Sequence, residues 1–488
     1  MAGGSVLLLG AGFVTRPTAQ ILADNGLKVT VACRTLDSAK KLAEGLKNAH
    51  PISLDVTKSE ALDAEVAKND LVISLIPYTF HATVIKSAIR NKKNVVTTSY
   101  VSPAMMELDK EAKEAGITVM NEIGLDPGID HLYAVKTIDE VHKAGGKVTG
   151  FLSYCGGLPA PEASDNPLGY KFSWSSRGIN IDARNSRDMP AYASLGVLLA
   201  LRNPAKYYKD GKVVDVKSAE LMGTAKPYHI YPGYAFVAYP NRDSTPYRER
   251  YSMPEAQTII RGTLRYAGFP EFVRTLVDIG FLSDEERDFL KTGASKLSWK
   301  EATAKILGAT SQSEDDLIWA ISSKTSFANT EEKERIIAGL RWVGLFSDEE
   351  AILRGNPLDT LCATLEKKMQ YEPGERDMVL LQHKFEIENK DGSKETRTST
   401  LVEYADPKGQ SPILDFFSIQ SKLIGNIEGY SAMAKLVGVP CAVAVMKVLD
   451  GTIKQKGILA PMTPELNNPI MKELKEKYGI EMKEKVIS

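Results

Sequence analysis

The stretch that decides the fold is Ser5-Val6-Leu7-Leu8-Leu9-Gly10-Ala11-Gly12-Phe13-Val14-Thr15. A short apolar run ends in Gly-x-Gly and leads into a helix-forming segment with Pro17 in its first turn. Gly10 suits the tight turn that leaves a strand, and Gly12 lets a pyrophosphate approach the backbone N–H groups of a helix N-terminus. Two glycines of the Gly-x-Gly-x-x-Gly fingerprint are present, with Thr15 in the third place. Gly-x-Gly alone is weak evidence. Its setting between an apolar strand and a helix is what favours a dinucleotide site over a structural turn.

Outward from this motif, the runs SVLLLG, KVTVAC, PISLDV, LVISLIP, NVVTTS and ITVM alternate with helix-period segments from Ser5 to Met120. Such alternation is the pattern of a parallel α/β sheet, and the runs lack in/out periodicity because helices cover both faces. Ser102-Pro103 reads as a helix N-cap followed by proline, and Gly116 as a helix end. We expect a Rossmann domain over residues 1–131, with the C-terminal tail packing back on it. Beyond Gly146 the chain turns strand-like, with a hairpin over Lys384–Tyr404 around Lys390-Asp391-Gly392. Residues 254–368 read as nearly all helix, with repeated starts such as Ser283-Asp284-Glu285-Glu286. The fold class expected is therefore α/β: a Rossmann domain, a mixed α/β substrate-binding and dimerisation domain over 132–253 and 369–460, and an all-helical insertion over 254–368. The run Gly429–Leu449 reads as a buried helix.

The chain has 488 residues, too many for one hydrophobic core, and its 43% apolar and 25% charged residues are those of a globular protein. A formal charge of -1 with interspersed signs offers no field for nucleic acid or an anionic membrane, and neither is expected as a partner. No apolar run approaches the roughly 20 residues that span a bilayer. The N-terminal MAGGSVLLLGAGFV has no positive n-region and reads as mature structure. Cys33, Cys155, Cys362 and Cys441 are scattered without metal-ligand spacing, so no metal site is expected, and a reducing, cytoplasmic setting is.

The second run, KVTVAC, ends in Cys33-Arg34-Thr35, where an NAD enzyme carries an acid for the ribose hydroxyls. A guanidinium there can grip a 2′-phosphate, with Thr35 adding a hydroxyl, so NADP(H) is the cofactor expected. Asp55, after the third run, is placed to reach the adenine or to cap a helix. The segments Thr98-Ser99-Tyr100 and Gly124-Leu125-Asp126-Pro127-Gly128-Ile129-Asp130-His131 follow the fifth and sixth runs, at the edge where open α/β sheets hold ligands.

At GAGFVTRP, VACRT, IPYTFHATVIK, VTTSYVSPAM, NEIGLDPGIDH, CGGLPAPE, YPNRDS and RGTLRY, the chain resembles the saccharopine reductase family of fungal type, over nearly its whole length. The resemblance implies an NADP-dependent, glutamate-forming saccharopine dehydrogenase. Such enzymes reductively condense 2-aminoadipate 6-semialdehyde with L-glutamate to saccharopine, reversibly, in lysine biosynthesis. It also implies a homodimer paired through the α/β domain. Carried onto matching positions, nucleotide contacts fall on Gly10, Gly12, Phe13, Val14, Arg34, Thr35, Asp55, Val56, Ile76, Thr98, Ser99, Leu125, Asp126 and Ser175. Substrate contacts fall on Ser99, Tyr100, Asp126, Trp174, Arg242, Thr263, Leu264 and Arg265.

Saccharopine carries three carboxylates and two amino groups, which suits arginine forks such as Arg242 and Arg265 beside a carboxylate such as Asp126. By spacing alone, Asp126 before Pro-Gly can simply build a turn, Arg242 can be a surface ion pair, Cys155 a small buried hydrophobe and Trp174 a wall. Tyr100, Asp126 and Cys155 are the titratable candidates for the proton transfers, and sequence does not choose among them. Residues 179–195 and 411–428 depart from the family pattern, as additional loops or retained non-coding sequence. A polyamine-forming aldehyde–amine synthase and a non-catalytic NADPH-sensing protein are the competing readings; the first needs few arginines, the second no carboxylate clamp.

Overall fold

In the computed structural model, residues 3–12, 14–172, 203–405 and 429–488 are described. Phe13, Trp174, Ser175 and both departing segments, 179–195 and 411–428, lie outside them. The first sheet contains β1 (Ser5–Leu9), β2 (Lys28–Cys33), β3 (Ala49–Ser53), β4 (Leu71–Ser74), β5 (Asn94–Thr97) and β6 (Thr118–Met120), joined at its edge by β15 (Gly457–Leu459). Their order is β15-β6-β5-β4-β1-β2-β3, and every neighbouring pair is parallel. The apolar runs are continuous for the reason expected. Val6 and Leu8 pack with Leu22 and Val443 on one face, while Leu7 and Leu9 pack with Leu62 and Val84 on the other. The order reverses between β1 and β4, which opens a crevice beside Gly10.

Among the described residues the second sheet holds nine strands. These are β7 (Lys147–Pro159), β8 (Ala205–Lys209), β9 (Lys212–Val216), β10 (Lys226–Pro227), β11 (Phe236–Pro240), β12 (Thr258–Tyr266), β13 (Asp377–Glu388), β14 (Lys394–Tyr404) and β16 (Lys483–Val486). The main path runs β10-β11-β12-β7-β13-β14-β16, with β8 paired to β12 and β9 to β8. Only β12 and β7 run parallel; the other pairs are antiparallel. The hairpin expected over Lys384–Tyr404 is β13 and β14, turning at Gly392 with φ +84°.

Two boundaries differ from the sequence reading. Helices begin at Phe269, not at 254, because Thr258–Tyr266 forms β12 at the centre of the second sheet. That strand carries the buried arginines Arg261 and Arg265. From Phe269 to Lys368 the helices Phe269–Asp278, Trp299–Leu307, Glu314–Lys324, Thr330–Val343 and Pro357–Lys368 share a core around Trp299, Phe272 and Leu340. Residues 432–459 group with the first sheet rather than the second. The helix Ala432–Leu449 shares a core with β1 and the helix Thr15–Asp24, and β15 extends the parallel sheet. The chain then returns to the second sheet as β16, so its end stitches the two sheets together.

The buried helix expected over Gly429–Leu449 is Ala432–Leu449, and the expectation that no apolar run approaches a bilayer span is corrected by it: 18 residues at mean hydropathy 1.8, enough to cross a membrane by length and composition, yet 78% buried inside this protein. Its seat explains the apolarity. Thr18 Oγ1 donates to Gly438 O at 2.9 Å, and a Cβ on Gly438 would stand 2.8 Å from Val14 O and 2.9 Å from Pro17 Cβ. Asp377 at the start of β13 accepts from the Ala432 and Met433 N–H groups at 2.7 and 2.9 Å, capping this helix from the second sheet.

This close approach holds the helix against the Gly10–Thr15 turn. Gly438→Val should lower unfolding stability by about 1–3 kcal/mol through overpacking. It should also weaken NADPH binding, because the obstructed atom, Val14 O, belongs to the cofactor turn. Denaturant unfolding with a fluorescence titration checks both; an unchanged midpoint would contradict the packing account.

Candidate active site

The cofactor side is built at the carboxyl ends of β1, β2 and β4. Gly10 has φ +111°, and a Cβ there would lie 2.4 Å from Leu75 O, so only glycine lets β1 turn against the β4 exit. At Gly12 the nearest obstacle to a Cβ is Thr15 Oγ1 at 3.9 Å, which leaves an open cradle before the helix Thr15–Asp24. Thr15 fills the third place of the fingerprint and accepts from Gly12 N–H at 3.1 Å through its hydroxyl. Arg34 is exposed at the end of β2, and Thr35 precedes the helix Leu36–Ala43 with its hydroxyl making no cap bond. The cradle, the helix N-terminus and the basic end of β2 fit a dinucleotide with a 2′-phosphate. Val56 and Ile76 belong to the apolar cluster beneath this edge. Asp55 serves as a turn: its carboxylate accepts from Thr57 N–H at 3.0 Å and Thr57 Oγ1 at 2.7 Å, which, with the nearby charges of Lys58 and Arg34, holds it below the usual carboxylate range.

The candidate substrate side lies where the ends of β5 and β6 face the second sheet. Thr98, Ser99 and Tyr100 leave β5, and Ser99 Oγ lies 2.8 Å from His81 Nε2. Burial drives the His81 pKa down to about 4, so the ring is neutral and ties Ser99 to Ser74 Oγ, 2.8 Å from Nδ1. After β6 the turn Gly124–Gly128 carries Asp126 towards β12 of the second sheet; Gly128 has φ +147°, and a Cβ there would fall 2.0 Å from Gly124 O. Leu125 is buried beneath it.

Tyr100, Asp126 and Cys155, the proton-transfer candidates, converge here, and the group that gathers them is Arg261. Tyr100 Oη donates to Asp126 Oδ1 at 2.6 Å. Arg261 Nη2 donates to the same Oδ1 at 2.6 Å and to Tyr100 Oη at 3.2 Å, and it also bonds Asp130 Oδ2. Its guanidinium lies 4.2 Å from the centre of the Tyr247 ring. Burial disfavours its charge, but Tyr100, Tyr247, Asp126 and Asp130 hold it firmly protonated. Burial, opposed by Arg261 and aided by Asp126, raises the Tyr100 pKa well above its usual value, so the phenol keeps its proton. Cys155 on β7 registers with Thr263 on β12. Crowding desolvates its thiol, and the Asp126 and Asp130 charges add to the upward shift, which argues against a thiolate.

Arg265, two residues beyond Thr263 on β12, is only 7% exposed. Its guanidinium centre lies 4.8 and 5.3 Å from the Tyr170 and Phe269 ring centres, and Nη1 donates to Leu264 O at 2.8 Å. Among the described residues no carboxylate pairs with it, and its Nε has no acceptor. A buried cation in this condition is costly unless an anion arrives. Arg242 sits apart from this arrangement: exposed, at φ +57° just beyond β11, with its backbone O accepting from Lys206 N–H at 2.9 Å. The surface pair with Asp243 is not what forms, since that carboxylate takes Thr245 N–H at 2.8 Å and Thr245 Oγ1 at 2.6 Å.

The sequence reading gave no role to Arg261, Asp130, His131, Glu122, Arg250, Tyr247 or Tyr251, although Asp130 and His131 stand in the segment it placed at the ligand edge. Behind Asp130, His131 Nε2 lies 2.8 Å from Glu122 Oε2 and Nδ1 lies 2.6 Å from Tyr251 Oη, and Arg250 closes the chain 2.8 Å from Glu122 Oε2. Burial opposes the Glu122 charge, but His131 and Arg250 carry its pKa down to about 2. The signal available was the alternation Arg261, Thr263, Arg265, which places three polar residues on one face of one strand.

The chain matches two family models: the saccharopine dehydrogenase NADP binding domain over residues 6–120 and the saccharopine dehydrogenase C-terminal domain over residues 124–187 and 191–480. It is 68% identical, over the full length of both chains, to saccharopine dehydrogenase [NADP(+), L-glutamate-forming] of Pyricularia oryzae. It is 38% identical, over 96% of this chain and 46% of the relative, to bovine (Bos taurus) mitochondrial alpha-aminoadipic semialdehyde synthase. The apo saccharopine dehydrogenase (L-Glu forming) of Saccharomyces cerevisiae superposes with TM-score 0.87 at 59% identity, covering 99% of this chain and 100% of that one. With a parallel nucleotide-binding sheet, a mixed second sheet and these matches along its length, the chain belongs to the saccharopine dehydrogenase family.

Proposed function

We infer that this protein is an NADP-dependent oxidoreductase acting on CH–NH groups. It joins 2-aminoadipate 6-semialdehyde to L-glutamate as saccharopine, reversibly, in lysine biosynthesis. Full-length identity of 68% to a saccharopine dehydrogenase [NADP(+), L-glutamate-forming] is the observation that carries the reading. The site supplies its chemistry. Arg265, a desolvated cation without a carboxylate among the described residues, is the clamp for one substrate carboxylate. Asp126 Oδ1 is committed to Tyr100 and Arg261, which leaves Oδ2 to receive a substrate amine. Thr263 and Leu264 shape the wall between Arg261 and Arg265, and Ser99, steadied by His81, stands between the cofactor and substrate sides. Arg242, exposed and apart from this network, is assigned to a second carboxylate on family resemblance alone.

NADPH, when bound, supplies the hydride. Gly10, Gly12 and Val14 cradle its pyrophosphate, Arg34 and Thr35 its 2′-phosphate, and Asp55, Val56, Ile76, Thr98 and Leu125 line the rest of its groove. Tyr100 and Cys155 both hold their protons, so neither is a ready base. Positioning of the substrate's own amine against Asp126 is the main effect this chain provides. Phe13, Ser175 and Trp174 are assigned to the same site on family resemblance alone.

The reading extends to assembly and place. A homodimer through the α/β domain is supported by β16, an edge strand of the second sheet followed by exposed Ile487 and bearing exposed Val486. Four cysteines without a disulfide support a reducing, cytoplasmic setting.

Steady-state oxidation of saccharopine with NADP+, run beside spermidine as an alternative amine, tests the activity: only saccharopine should give turnover, with glutamate released in equal amount. Turnover with the polyamine alone would replace this reading by the polyamine synthase. Arg34→Asp should abolish or reverse the preference for NADPH over NADH, read as the ratio of kcat/KM values; a wild type equally active with both cofactors would contradict the role given to Arg34. Arg265→Ala should remove a charge-assisted contact of roughly 1.5–3 kcal/mol, about ten- to a hundredfold in kcat/KM, mostly through the KM for saccharopine. A near-normal KM would remove the clamp. Cys155→Ser should cost far less, and a large fall in its kcat would make the cysteine a chemical participant.

A further inference from the structure

Among the described residues, Arg261 connects both sheets to the reacting face, and its geometry assigns it a task that rests on the functional reading above. It stands on β12 of the second sheet, 7% exposed, yet its bonds go to the loops that leave the parallel sheet. Nη2 carries two hydrogens and faces three acceptors: Asp126 Oδ1 at 2.6 Å, Tyr100 Oη at 3.2 Å and Asp130 Oδ2. Asp130 cannot turn away, because it is fully buried and its other oxygen accepts from Gly128 N–H at 2.6 Å. The Tyr247 ring fills the space under the guanidinium plane.

We propose that Arg261 is the positioning residue of this site: with Asp130 as its buried counter-anion, it holds Asp126 Oδ1 and the Tyr100 hydroxyl in one fixed geometry. Three features support this. The Tyr100 hydroxyl donates to Asp126 while accepting from Arg261, so the rotation of that hydroxyl is settled from both sides. Asp126 is engaged through Oδ1, and among the described residues no hydrogen bond engages Oδ2; the carboxylate is oriented with one oxygen left for a substrate amine. Finally, the positive charge of Arg261 lies where a second carboxylate, Asp130, would otherwise repel Asp126. Without Arg261 two acids would face each other across a desolvated gap, and a like-charged pair of that kind does not stay fully ionised. The residue reaches the substrate through Asp126 and Tyr100 and is not itself a catalytic group.

A double-mutant cycle on the full-length protein, assayed by saccharopine oxidation with NADP+, tests this. Arg261→Gln should lower kcat/KM for saccharopine by about 100-fold in the wild-type background and by less than about threefold in the Asp126→Asn background, since the residue it positions is already lost. Arg261→Lys keeps the charge but not the fork, and should recover part of the loss. NADPH affinity, measured by fluorescence, should stay within about threefold of wild type in each single Arg261 variant that folds. If Arg261→Gln does not fold, the same cycle is run with Arg261→Lys, for which about tenfold in the wild-type background and about onefold beside Asp126→Asn is expected. Equal losses in both backgrounds, or a wild-type rate in Arg261→Gln, would overturn the proposal. A wild type that leaves saccharopine untouched sinks the functional reading and this inference with it; a wild type that oxidises saccharopine but shows an additive cycle sinks this inference alone.

Discussion

A guanidinium taken out of water must meet carboxylates, and Arg261 finds them only by reaching out of its own sheet. Asp126 and Asp130 lie 135 and 131 residues earlier in the chain, on the turn and helix that follow β6. The desolvation cost of the cation therefore becomes a constraint on how the two sheets meet, because moving them apart strands a buried charge. Neighbouring features serve the same junction. Asp377 caps Ala432–Leu449 across the sheets, Gly438 lets that helix sit on the Gly10–Thr15 turn, and β16 returns the chain to the second sheet. The nucleotide cradle and the substrate wall are thus held by one set of contacts.

Much of this was legible in the sequence where local chemistry decides structure. The turn at Gly10 needs positive φ and the absence of a Cβ, and the basic end of β2 is read directly from Cys33-Arg34-Thr35. The hairpin at Gly392 and the buried character of Ala432–Leu449 follow from turn chemistry and from apolarity. What escaped depended on distant partners. β12 is written Thr-Ile-Ile-Arg-Gly-Thr-Leu-Arg-Tyr, and its arginines and glycine argue against a central strand until their surroundings are known. Gly262 is required there because a Cβ would meet Tyr239 O at 2.3 Å and Tyr154 Cε1 at 2.6 Å, contacts made by two other segments. The helical boundary was misplaced for the same reason.

Within the candidate site the same division holds. Tyr100, Asp126 and Cys155 were gathered from motifs, and they do come together, but their shared partner Arg261 and the chain Asp130–His131–Glu122–Arg250 behind it were not seen. Sequence left Asp126 divided between turn and ligand: it belongs to the tight Gly124–Gly128 turn, and its Oδ2, engaged by no hydrogen bond among the described residues, is the oxygen we propose for the substrate amine. Asp55 forms a turn, and Arg242 is exposed and apart from the Arg261 network.

The two sheets are proposed to form one charged site, in which a substrate carboxylate meets the buried Arg265, which has no carboxylate partner among the described residues, while its amine meets Oδ2 of Asp126. A crystal structure of the protein with NADP+ and saccharopine bound tests this most directly. The account predicts a carboxylate within hydrogen-bond distance of the Arg265 guanidinium, and the secondary amine on Asp126 Oδ2 with Arg261 still bonded to Oδ1. Saccharopine bound with Arg265 still unpaired, or with Arg261 released from Asp126 and bonded to substrate, would contradict it.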